Sequence, residues 1–377
     1  MTPPTAACLL TFLLAVLPAC ARQPVGDLAV PTVGGQSTAQ QAATAPAPAR
    51  GKAAVQPGPA LEAVLERAAS IEPLKAVAVS QGGRVVGTRG FRGSTVDTPT
   101  NIKSASKTVL SALAGIAIDK GVLEGTGQRV ADVLASDLPA DPDPRLRLLT
   151  VGHLLSMQAG LESTSGAQYG RWVASPNWVR GALSRPFVAE PGGAMVYSTG
   201  TSHLLSAMLT RASGRSTLSL AREWLGPQQG FTVTAWDRDP QGLYLGGNNM
   251  AMSTRSLLAF GELYRNRGLA ADGTRLLSES WIEQSWRPRT ASRYTGDGYG
   301  YGWFLRELGG QQVRYAWGYG GQMLYVVPAL DLVVAMTSDD SSASARSGHR
   351  DDLHELLVAI MQSMFLADTG ATRRADP

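Results

Sequence analysis

The chain has 377 residues, 44% of them hydrophobic and 17% charged, enough to bury a large core in one domain or in two closely packed ones. Its 34 basic and 30 acidic residues leave a formal charge of +4 with no long basic run, which argues against nucleic-acid binding. The only cysteines are Cys8 and Cys20, so the chain beyond them has no disulfide, no Cys-type zinc site and no cysteine nucleophile. Lysine occurs at just five positions, Lys52, Lys75, Lys103, Lys107 and Lys120; arginine never gives up its proton, so lysine-dependent chemistry must use one of these five.

Residues 1–20 read as a targeting segment. Ala6 to Leu17 form an apolar run the length of a signal h-region and too short to span a bilayer. Leu17-Pro18-Ala19-Cys20 resembles a bacterial lipoprotein cleavage box with Cys20 as the lipidated residue; an ordinary signal peptide ending near Ala19 or Ala21 is the alternative. Both imply export to the cell envelope, with a membrane engaged only through a lipid anchor. Residues 21–60 are rich in Ala, Pro, Gln, Gly and Thr without periodicity, as in Ala42-Ala43-Thr44-Ala45-Pro46, and read as a flexible tether.

The folded domain is expected over 61–368, followed by a tail at 369–377. It opens on a helical face made by Leu61, Val64, Leu65 and Ala68. Leu74 to Ser80 and Arg84 to Phe91, separated by Gln81-Gly82-Gly83, predict a hairpin. Ala105 to Asp119 predicts a helix apolar almost all round and therefore central, closed by Gly121. From about 130 to 290 helices and loops dominate. Strands return at Gln322 to Val327 and Leu332 to Thr337 about a turn at Pro328-Ala329-Leu330-Asp331, and a last amphipathic helix carries Leu353, Leu357, Ile360 and Met364. Strands at both ends around a helical middle predict an α+β fold: a mainly antiparallel sheet built from both termini, flanked by helices, with a mostly helical insertion.

Three elements carry candidate chemistry. Ser104-Ala105-Ser106-Lys107 places a lysine one turn after a serine at the start of the central helix, so Nζ can approach Oγ. Burial there lowers the lysine pKa toward that of a usable base, and the helix N-terminus favours an oxyanion. Alone, the pattern is more often a helix cap beside a solvated charge; that it is the one Ser-x-x-Lys in the chain, on a helix with no further charge before Asp119, brings the catalytic reading level with it. Tyr197-Ser198-Thr199 follows Pro191-Gly192-Gly193 and can relay a proton or simply pack beside a turn. Ala316-Trp317-Gly318-Tyr319-Gly320-Gly321-Gln322 leads into a strand, where glycines admit a substrate backbone and free N–H groups, or form a tight aromatic hairpin.

In this order and spacing, the three elements resemble the serine β-lactamase and penicillin-binding-protein superfamily over roughly Leu61 to Leu366. The likeness is greatest to the class C-like branch with its esterases and 6-aminohexanoate-dimer hydrolase-like enzymes. Thr150-Val151-Gly152-His153-Leu154-Leu155-Ser156-Met157-Gln158-Ala159-Gly160-Leu161 and Tyr299-Gly300-Tyr301-Gly302-Trp303 extend the match. The resemblance implies a β-lactamase/transpeptidase-like fold with Ser104 as acylated nucleophile, Lys107 as base and Tyr197 as proton relay. It implies an oxyanion hole from the backbone N–H groups of Ser104 and Tyr319, and a substrate site near Thr199, Trp317, Gly318, Arg314 and Tyr169.

Two positions depart from the family pattern. Ala316 stands where the family has Lys or His, with Arg314 on the same strand face as a substitute, and Thr199 stands where class C enzymes usually have Asn. The expected function is hydrolysis of a small ester, amide or short peptide through an acyl-enzyme, without metal or organic cofactor. A β-lactamase or D-Ala-D-Ala carboxypeptidase, and a non-catalytic envelope protein that binds peptidoglycan or a partner, are the other readings. No Gly-x-Ser-x-Gly elbow occurs, and the four histidines, His153, His203, His349 and His354, read as structural or surface residues.

Overall fold

A computed structural model describes residues 58–341 and 348–372. The chain divides near residue 51, and every described residue belongs to the second unit, 52–377. The expected signal segment, Cys20 and nearly all of the tether lie outside the described residues.

Eleven strands are found among these residues: β1 Leu74–Gln81, β2 Arg84–Gly90, β3 Pro99–Asn101, β4 Ala235–Trp236, β5 Met250–Ser253, β6 Thr290–Ala291, β7 Gly298–Tyr299, β8 Phe304–Leu308, β9 Gln311–Gly318, β10 Gln322–Val327 and β11 Leu332–Ser338. Eight form an antiparallel sheet in the order β2-β1-β11-β10-β9-β8-β7-β6, and β3-β5-β4 form a small second sheet. Both predicted hairpins are present, and β1 from the N-terminal end pairs directly with β11 from the C-terminal end.

Side-chain alternation along these strands sorts them into two layers. One face carries Ala76, Ala78, Ala316, Leu324, Val326, Val333 and Ala335, and packs on the inserted region, including the helices Ser106–Asp119 and Thr254–Arg265. The other carries Val77, Val79, Tyr325, Val327, Val334 and Met336, and packs on the first helix, Pro59–Arg67, and the last, His349–Thr372. The first helix supplies Leu61, Val64 and Leu65; the last supplies Leu353, Leu357, Ile360 and Met364, the face its sequence spacing predicts. That last helix runs on past 368, the expected end of the domain. With helices on both faces, every residue of β10 and β11 is buried. Among the described residues no helix is long and apolar enough to cross a membrane.

The central helix starts at Ser106, one residue later than the periodicity predicts, because Lys103–Ala105 forms a tighter 3₁₀ turn leading into it. Lys103 holds φ +50°, a left-handed conformation that costs a non-glycine residue about 1–3 kcal/mol. Three hydrogen bonds stabilise the turn: Lys103 N–H to Asn101 Oδ1 at 2.9 Å, Ser106 Oγ to the Lys103 carbonyl at 2.7 Å, and Ile102 N–H to the Met250 carbonyl at 2.9 Å. The turn also sits against β9, where a Cβ on Gly318 would lie 2.2 Å from the Ile102 carbonyl oxygen; only glycine allows the strand this close.

Candidate active site

Ser104 emerges from this turn half-buried, and Lys107 follows on the same helix face, 4% exposed. Lys107 Nζ donates to Ser104 Oγ at 2.9 Å and to the Gly247 carbonyl at 2.7 Å. Loss of hydration in this apolar setting lowers the lysine from its ordinary 10.5 to about 7. Near neutral pH a sizeable fraction of the amine is therefore neutral and able to accept the serine proton.

Tyr197 closes the other side. It ends the segment before helix Thr199–Ser213, with its carbonyl fixed by the Ser163 hydroxyl at 2.7 Å. Its ring stacks on Phe304, with centroids 6.2 Å apart, and meets Tyr299 edge-on at 6.3 Å. Lys107 Nζ lies 4.9 Å from the ring centroid. Burial pushes the phenol up to about 12, partly offset by its hydrogen bond with Ser104. With lysine near 7 and tyrosine near 12, Lys107 can accept a proton at neutral pH whereas Tyr197 keeps its own.

A cavity of about 720 Å³ opens over Ser104, lined by Tyr197, Thr199, Tyr169, Asn248, Trp317 and Tyr319 among others. Trp317 and Tyr319 therefore reach the site, and Tyr319, 49% exposed, occupies the β9–β10 turn at the edge of the cavity. Tyr169 accepts a hydrogen bond from Asn248 Nδ2 at 3.0 Å. Thr199 touches the cavity but is 4% exposed, and its hydroxyl pairs with Ser165 at 3.0 Å rather than with Lys107.

Arg314 and Gly318 are corrections. Alternation along β9 puts both, with Ala316, on the face toward the inserted helices, whereas Trp317 points the other way. Arg314 sits half-buried, its guanidinium carbon 5.8 Å from the Trp286 ring centroid, and is not part of the cavity wall; Gly318 serves packing against Ile102. The cations that do line the cavity are Lys103, paired with Asp340 at 3.1 Å, and Arg293, whose guanidinium donates to the Tyr294 hydroxyl at 2.8 Å.

Sequence reading missed the loop that grips the base. Gly247 holds φ +79°, and a Cβ there would lie 2.7 Å from Lys107 Cγ, so this backbone can approach the lysine only as glycine. The adjacent pair Gly246-Gly247 was its one sequence signal. Among the described residues no cluster of His, Cys, Asp or Glu is suited to a metal.

A serine and a buried lysine at the head of a central helix, with a tyrosine opposite and an antiparallel sheet alongside, define a site of the Ser-Lys-Tyr class. The model of the Beta-lactamase family matches residues 68–358, and the chain belongs to that family. Among solved structures, a family VIII carboxylesterase gives a TM-score of 0.65 at 17% identity, covering 81% of this chain and 98% of its own. A penicillin-binding protein homologue from Caulobacter crescentus gives 0.62 at 20% identity, covering 82% and 98%, and an octameric homologue from Pyrococcus abyssi gives 0.62 at 20%, covering 79% and 76%. These are likenesses of fold. No curated protein matches the sequence.

Proposed function

We propose that the protein is a serine hydrolase that acts through an acyl-enzyme on a small ester or amide at the cell envelope. The observation that carries this reading is the 2.9 Å contact between Ser104 Oγ and a buried lysine lowered to about 7. Lys107 takes the serine proton as Oγ attacks the carbonyl carbon. The backbone N–H groups of Ser104 and Tyr319 stabilise the oxyanion, and Tyr197 passes the proton to the leaving group. Water then repeats the cycle in reverse and releases the acid. An esterase and penicillin-binding-protein homologues among the structural relatives support the same class of chemistry.

Neutral substrates fit the cavity better than carboxylate-bearing ones. Ala316 offers no cation, Arg314 faces elsewhere, Lys103 is paired with Asp340, and the other cation of the lining, Arg293, is exposed to water, where its attraction for a carboxylate is screened. The test is labelling by a fluorophosphonate, followed by turnover of a neutral ester and a penicillin. Ser104 is expected to carry the label, Ser104→Ala to abolish it, and the ester to have the higher catalytic efficiency. Label on another serine overturns the assignment, and a higher efficiency for penicillin promotes the β-lactamase reading. Export rests on the apolar run Ala6 to Leu17, and a lipid anchor on the Leu17-Pro18-Ala19-Cys20 box; Cys20→Ser should release a processed soluble form, and a mature N-terminus found beyond Cys20 without lipid leaves secretion only.

A further inference from the structure

Behind the Gly246–Gly247 loop lies a buried ionisable pair that the reaction as described does not use. His203, on helix Thr199–Ser213, and Asp239 both have fully buried side chains, with His203 Nε2 and Asp239 Oδ2 3.0 Å apart. The other ring nitrogen, Nδ1, receives the Gly246 N–H at 3.2 Å. A backbone N–H can only donate, so Nδ1 carries a lone pair and the ring proton sits on Nε2, toward the carboxylate. Asp239 is fixed in turn, since its Oδ1 accepts the N–H groups of Gln241 and Leu243, each at 2.8 Å. Trp172 and Trp178 meet the imidazole edge-on at 5.7 and 5.8 Å, which leaves the ring no freedom to turn.

One residue after Gly246, the Gly247 carbonyl accepts Lys107 Nζ at 2.7 Å. This contact has directional consequences. A neutral amine has one lone pair and two N–H bonds. For the lone pair to face Ser104 Oγ, an N–H must point elsewhere, and the Gly247 carbonyl is where it points. Moving that carbonyl by a fraction of an ångström turns the lone pair away from the serine. We propose that His203 and Asp239 are a positioning dyad for the Lys107 base, acting through the Gly246–Gly247 backbone. The assignment rests on the serine-hydrolase reading above.

A dyad of this kind makes a sharp demand on tautomer. Asp239→Asn keeps shape and can keep both backbone contacts through its amide oxygen, but it turns an NH₂ toward Nε2. The ring must then carry its proton on Nδ1, which faces the Gly246 N–H, donor against donor. His203→Asn does the opposite, because its amide oxygen can occupy the Nδ1 position and keep the acceptor for Gly246.

The experiment measures acylation by a neutral ester in the full chain, normalised to sites titrated with a fluorophosphonate, across pH 5 to 10. Asp239→Asn is expected to slow acylation per titrated site about 10²-fold, the scale of a small misplacement of a catalytic group, with KM changed less than about threefold. The acid limb of kcat/KM should move to lower pH, because the Lys107 ammonium loses an acceptor; the titratable group facing Nζ, Tyr197, is unchanged. His203→Asn should recover part of the rate. A merely structural pair lowers melting temperature and the number of titratable sites, yet leaves the rate per site and the limb in place, and that result overturns the proposal. If Asp239→Asn does not fold, His203→Gln and His203→Asn decide it by the same two readouts: Asn must outperform Gln per titrated site. An unlabelled wild type at Ser104 is a different failure, that of the hydrolase reading itself.

Discussion

Two buried bases occupy helices that cover opposite faces of the sheet, and they show what burial does and does not confer. Lys107, under the inserted helices, is lowered by desolvation to about 7. His354, on the last helix, is lowered by desolvation and by Arg306 and Arg350 to about 4. Lys107 keeps a serine hydroxyl as partner and reaches the cavity through it. His354 is 4% exposed and wedged between Tyr315 and Tyr325, at 5.3 and 5.7 Å between centroids; its Nδ1 pairs with the Tyr325 hydroxyl at 3.0 Å. Both pKa values are strongly displaced, but of the two only Lys107 adjoins a serine hydroxyl that opens onto a cavity. A shifted pKa reports burial; the neighbour and the opening report chemistry.

The largest effect that separates the two sites comes from replacing the base. Lys107→Arg should lower kcat/KM for a neutral ester by at least about two orders of magnitude, because a permanently protonated guanidinium cannot accept the serine proton. Steady-state kinetics with a titrated active-site concentration checks this, and retention of most of the activity would remove Lys107 from the role of base. Next in size is the pH profile of the unaltered protein. Below about 7 Lys107 is protonated, so kcat/KM should fall about tenfold per pH unit. Above 7 it should stay level well into the alkaline range, since Tyr197 holds its proton to about 12. A profile flat through pH 7, or an alkaline loss centred near 8, contradicts this division of roles.

The smallest effect on activity, and the control for the comparison, is His354→Phe. Catalysis should change by less than about twofold, while acid stability changes clearly. The folded pKa of about 4 lies below the ordinary 6.5, so between those values the unfolded chain binds a proton that the folded one excludes. Stability contributed by neutral His354 is therefore lost as pH falls from 6.5 toward 4, on the order of 3 kcal/mol. Phenylalanine cannot titrate, so denaturant melts of the variant should lack that part of the acid loss.

That Ser104, Lys107 and Tyr197 meet at one cavity was legible because each lies in a short contiguous motif. Ser104 and Lys107 are one helical turn apart, and Tyr197 sits two residues before the next long helix. Both hairpins and the last helix were legible from alternation and from the spacing of Leu353, Leu357, Ile360 and Met364. The grip on the base was not, because Gly247 lies 140 residues from Lys107 and meets it only in space. The same holds for His203 and Asp239, whose pairing needs helix Thr199–Ser213 and the 239–243 turn brought together. Arg314 was misjudged for another reason. Arg314 and Ala316 do share a face, as alternation along β9 requires, but β10 beside them is buried at every position and carries no polar–apolar alternation to show which face of the pair looks onto the cavity. The late start of the central helix follows from the left-handed Lys103, a conformation that lysine gives no reason to expect.

The pairing of β1 with β11 also governs when this protein can fold. Val77 lies opposite Met336, so the first hairpin of the domain finds its neighbour only when nearly the whole chain has been made. A two-stranded hairpin is marginal by itself, and closing so long a loop makes sheet assembly a late, slow event. Until then β1 and β2 are cut off from the block β10-β9-β8-β7-β6, and fragments ending before residue 332 lack the strand that joins the two halves of the sheet. Joining the two ends of the domain by a short linker and opening a surface loop instead would make that contact local, and should accelerate folding without altering the finished architecture.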